Sequence, residues 1–72
     1  PIKLQKMRER LKEVEHEVAS LESAIQQQEA ALGDFKSVDE STRVTASLTA
    51  CRSQLETHLA EWEQLTAEID SN

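Results

Sequence analysis

The chain has 72 residues, of which 35 are Ala, Glu, Lys, Leu or Arg, close to the half-share that accompanies long helices and coiled coils. Leu, Ile, Val and Phe number 16, enough to leave the disordered class but too few to wall in a catalytic cleft, and the formal net charge is −6. No apolar run approaches the roughly 18 residues of a transmembrane span, no signal-peptide pattern opens the chain, and a single Cys excludes an internal disulfide framework and a structural zinc site. The composition therefore predicts a soluble, cytoplasmic helical module with no catalytic motif. Because it opens on Pro1 rather than Met, it is expected to be a piece of a larger protein.

The first element is predicted over residues 3 to 32. Steps of alternately three and four from Leu4 reach Met7, Leu11, Val14, Val18, Leu21, Ile25, Gln28 and Leu32, and eight of these nine positions are apolar. So strict a 3.5-residue spacing marks the narrow seam of a coiled coil. Gln28 is the polar interruption, a type of residue that sets register at some cost in stability.

A turn is predicted at about 33 to 36. Gly33 follows the last seam residue, where a left-handed residue commonly ends a helix and costs Gly little. Ser37 and Glu40 form a capping-box pattern for the next helix. Phe35 in the turn either closes the end of the bundle or stands exposed as an anchor for a partner.

The second helix is predicted over residues 38 to 70. Counting back from Ile69, the seam runs through Leu65, Trp62, His58, Leu55, Cys51, Leu48, Val44 and Ser41, with seven of nine positions apolar. A connection this short makes the two helices antiparallel neighbours. Leu4 with Ile69, Leu11 with Trp62, Val18 with Leu55 and Ile25 with Leu48 then pair at position numbers that all sum to 73. In that register Lys3 faces Glu68, Arg10 faces Glu61 and Glu22 faces Arg52, three opposite-sign pairs that specify alignment more than they add stability. A parallel homodimer of the first helix would instead oppose Lys3 to Arg8 and Glu17 to Glu22. The fold expected is all-α: one antiparallel two-helix coiled-coil hairpin spanning residues 1 to 72.

Charge is divided unevenly. The first twelve residues carry net +4 and residues 13 to 72 net −10. Lys3, Lys6, Arg8, Arg10 and Lys12 are candidate phosphate contacts, joined near the turn by Lys36 and Arg43. The competing reading is that the five face the acidic end of the second helix, with Glu61, Glu63, Glu68 and Asp70, and the acidic remainder would repel a polyanion. His58 interrupts the seam opposite Val14 as a weak pH-dependent element, and Cys51 opposite Leu21 reads as a small hydrophobe. Trp62 packs on the seam opposite Leu11, or projects past it to meet a partner. The carboxylates converge on no pocket, and one Gly cannot build a phosphate-cradling loop, so no catalytic, cofactor or metal residues are assigned.

Leu21-Glu22-Ser23-Ala24-Ile25, Glu29-Ala30-Ala31-Leu32 running into Gly33-Asp34, and Ala60-Glu61-Trp62-Glu63-Gln64-Leu65 together carry a resemblance. Over nearly its whole length the chain resembles the C-terminal coiled-coil hairpin of ABC-F type ATPases. Members often have a longer turn with Pro and an aromatic residue; here it shortens to Gly33 to Lys36 with Phe35. The resemblance implies a cytoplasmic parent with two ATP-binding cassettes and no membrane domain. That parent acts on ribosomes in translation or, in some relatives, binds DNA or RNA through this tail. ATP and Mg would belong to the parent's cassettes, and this segment would be a non-catalytic arm that positions the ATPase. Two alternatives stay open: a structural protein-interaction or homodimeric coiled coil of an unrelated protein, and a tRNA-binding hairpin arm like that of valyl-tRNA synthetase, which should be basic.

Overall fold

In the computed structural model, which describes residues 2–34 and 37–71, the chain forms two long helices, α1 (Ile2–Leu32) and α2 (Val38–Asp70), packed against each other. Arg10 bonds Glu61 near one end and Gln28 bonds Ser47 near the other, so the helices run antiparallel. The molecule measures 55 × 14 × 14 Å. Its radius of gyration is 16.3 Å, where a globular chain of this length would have about 11 Å. The fold is the expected helical hairpin, and its form is a rod.

All eighteen predicted seam positions are buried or half-buried. Only Val14 and Leu48, at 0% and 2% exposure, are fully enclosed. The reason is geometric: two helices share a single contact line, so each seam side chain is covered by one neighbour and remains open at its edges. Among the described residues five more are half-buried, Arg10, Glu17, Ala24, Glu61 and Thr66, and four of them flank the same side of the seam. The opposite flank is more open. There Arg8, Glu15, Glu22 and Glu29 of α1 are all exposed, and Leu59 of α2 is 41% exposed.

Polar residues that weaken helices are accommodated locally. In α2, Thr49, Thr57 and Thr66 each turn the hydroxyl back to donate to the carbonyl four residues earlier, at 3.0, 3.2 and 2.9 Å. Ser37 caps α2 as expected: its backbone is extended and its Oγ accepts from the Glu40 N–H at 3.1 Å. Asp39 and Glu40 add negative charge to the first turn, where the helix dipole favours it.

The end of α1 differs from expectation. Gly33 does not take a left-handed conformation. Instead its N–H donates to Ala30 O at 3.1 Å and the Asp34 N–H donates to Ala31 O at 3.0 Å, a tightened final turn that satisfies terminal carbonyls without any positive φ. Phe35 and Lys36, for which a partner contact and a phosphate contact were expected, lie outside the described residues.

Candidate functional site

The five cations near the start of α1 do not behave as one group. Arg10 stands on the closed flank of the seam and forks onto Glu61 across the helix pair, with Nε to Oε2 at 2.7 Å and Nη2 to Oε1 at 2.8 Å. Its Nη1 donates to Glu13 at 3.1 Å and lies 3.9 Å from Glu17. A planar guanidinium matches a carboxylate in this two-pronged way, whereas a lysine would present only a point charge. Hydrogen bonding to Glu61 and then Glu13 raises the Arg10 pKa further above its already high value, and Arg10 in turn holds the Glu61 carboxyl below the usual carboxylate range. Arg10 is thus an internal staple, as the competing reading of the basic cluster supposed.

Lys3, Lys6, Arg8 and Lys12 are exposed. Lys3 and Lys6 border a shallow groove of about 470 Å³ with Ile2, Met7, Arg10 and Leu65, between the start of α1 and the last turns of α2. Arg8 and Lys12 border a second groove, of about 520 Å³, along α1 alone with Leu4, Gln5 and Glu9. The exposed cations therefore spread around the helix. Arg43, also exposed, lies near the opposite end of the rod on α2, far from the four.

Arg52 does not meet Glu22 as the register predicted; its Nη2 donates to Glu29 Oε2 at 2.9 Å. Glu29 lies one heptad, about 10 Å, nearer the tip than Glu22, a gap closed by the long Arg52 and Glu29 side chains extending towards each other. Near the same end, Gln28 donates from Nε2 to Ser47 Oγ at 2.9 Å, a cross-helix bond consistent with a register role, while its Oε1 is enclosed without a partner.

Sequence reasoning placed His58 on the seam but missed its partners. Nδ1 donates to the Gln54 carbonyl at 2.7 Å, and Nε2 meets the Glu17 carboxylate. A carbonyl can only accept, so Nδ1 carries a proton and Nε2 needs a second one to bond Glu17. The Gln54 carbonyl, and after it Glu17, raises the His58 pKa, with partial burial opposing. The heptad register could have found this contact, because Glu17 lies one heptad beyond Arg10 on the same flank.

Trp62 is half-buried, and its Nε1 donates to Glu15 Oε2 at 3.2 Å. With Val18 and Leu59 these two residues line a groove of about 230 Å³ on the open flank. Cys51 is a free, half-buried thiol on the seam. Among the described residues, no group of three His, Cys, Asp or Glu side chains is arranged to hold a metal ion, and no helix is long and apolar enough to cross a membrane. Comparison of the chain with protein-family models, with curated protein sequences and with solved structures finds no match in any of the three.

Proposed function

We propose that this chain is a non-catalytic coiled-coil arm of an ABC-F type ATP-binding protein, positioning or docking the ATPase on the ribosome or on nucleic acid in the cytoplasm. The observation that supports it is shape: a 55 Å rod only two helices thick, with a cross-helix bond near each end, is suited to reach and to hold an orientation. The arm needs no cofactor of its own, because ATP and Mg belong to the parent's cassettes. Its nucleic-acid contact would be made by Lys3, Lys6, Arg8 and Lys12, the cations at the base of the rod that pair with no carboxylate among the described residues. Arg43 would add a separate point of contact near the other end. A protein partner is the second reading, favoured by the net −10 carried by residues 13 to 72.

Two experiments test this. The gene encoding the chain should also encode two ATP-binding cassettes with Walker A and ABC signature motifs; a gene without them contradicts the assignment. Titration of the chain with RNA and DNA at low salt should show binding that weakens when Lys3, Lys6, Arg8 and Lys12 are all changed to Ala. It should also lose most of its salt dependence, since each phosphate contact releases counterions. Binding unchanged by the four substitutions removes the basic end as the contact.

A further inference from the structure

The two flanks of the seam are finished differently. On one, Arg10, Glu17 and Glu61 close over the apolar layers and pair with one another or with His58. On the other, Leu59 is exposed beside the half-buried Trp62, and the α1 charges are only partly matched. Glu15 accepts from Trp62 and Glu29 from Arg52, but Arg8 and Glu22 make no ion pair among the described residues. These two unmatched charges have opposite sign and lie seven residues to either side of Glu15, about 10 Å each way along α1.

The accessible surface points the same way. The chain exposes 5466 Å². A compact monomer of 8.1 kDa typically exposes about 4,500 Å², so the rod shape as a whole leaves about 1,000 Å² more in contact with water, part of which a second copy along one flank would cover.

We propose that the open flank is the docking surface for a second copy of this chain, packed base to tip about a two-fold axis passing near Leu59 and Glu15. In this arrangement α1 lies against α1 of the second copy and α2 against α2. Leu59 meets its own equivalent, each Trp62 ring is covered, and Arg8 of each copy reaches Glu22 of the other, so both unmatched charges are satisfied twice over. The two Glu15 carboxylates, each bonded by a Trp62 N–H, come near the axis as like charges, a repulsion that the two Arg8–Glu22 pairs and the covered Leu59 and Trp62 side chains offset. Packing base to base instead would set α1 against α2 of the second copy and leave Arg8 facing Thr66. The inference does not rest on the ABC-F assignment, but it engages Arg8, so in the dimer the nucleic-acid contact at this end would fall to Lys3, Lys6 and Lys12.

Sedimentation equilibrium of the chain from micromolar to millimolar concentration should show a monomer–dimer equilibrium. Leu59→Asp, at an exposed position, should abolish the dimer while leaving helicity intact. Arg8→Glu and Glu22→Arg should each weaken the dimer by about tenfold or more, and the double swap should restore it, because each swapped residue then meets its complement in the other copy. In a Cys51→Ala background, Leu59→Cys should form a disulfide between copies. A monomer at every concentration overturns the proposal and leaves the flank to a different partner. A dimer indifferent to Leu59→Asp, not restored by the double swap, or unable to crosslink through position 59 overturns this surface and orientation.

Discussion

His58 shows how one seam residue ties pH to the fold. In the hairpin it gains the Gln54 carbonyl and the Glu17 carboxylate, with the negative charge of Glu61 adding to them, so its pKa rises above the ordinary value of about 6.5 although partial burial opposes the shift. A group whose pKa is raised on folding binds protons more tightly in the folded state. Its contribution is complete below about pH 6.5 and is lost as pH rises through the folded value. Glu61 acts in the opposite sense: Arg10 lowers its pKa, so its contribution is present above the ordinary carboxylate range and lost as pH falls through the depressed value. Urea melts should therefore give greater stability in mildly acidic than in mildly alkaline buffer, with the difference removed by His58→Gln. An NMR titration should place His58 above 6.5, and Glu17→Gln should lower it only in part, because the Gln54 carbonyl remains. A His58 pKa at or below 6.5 contradicts the geometry.

At the scale of elements, hydrophobic spacing located what packs, and backbone chemistry decided how the helices end. The 3.5-residue stripe identified all eighteen seam positions because a coiled-coil seam depends on little else. Ser37 was legible for a local reason, since a hydroxyl three residues before an N–H is sufficient to cap it. Gly33 was misread: a terminal Gly permits a left-handed residue without requiring one, and here carbonyls are satisfied by the tightened final turn. Gly33→Ala makes the difference measurable. A Cβ at this position would lie 3.4 Å from Ala30 O, an ordinary contact at the tight end. The substitution should therefore be neutral or stabilise the chain by up to about 1 kcal/mol through the unfolded state, read from the urea midpoint. A loss of about 1 kcal/mol would instead indicate the left-handed cap.

The whole molecule is a rod because its apolar residues supply one seam and no second layer. That much follows from 15 apolar positions among the 18 of the seam. The net charge predicted less, because charges are matched by reach across the helices. Arg10 met Glu61 as the register required, Arg52 chose Glu29 over Glu22, and Glu17 was drawn to a seam histidine. The register brings Glu17 to the flank beside His58, but spacing alone does not decide between two carboxylates within reach of Arg52. The result is a closed, paired flank and an open one, and both exist only if α1 and α2 of the same chain pack antiparallel in the described register. The most direct measurement is a thiol crosslink in a Cys51→Ala chain carrying Leu11→Cys and Trp62→Cys, treated at high dilution with a short bifunctional reagent. The hairpin predicts a product of monomer mass bridged within one chain; crosslinks that form only between chains would contradict it.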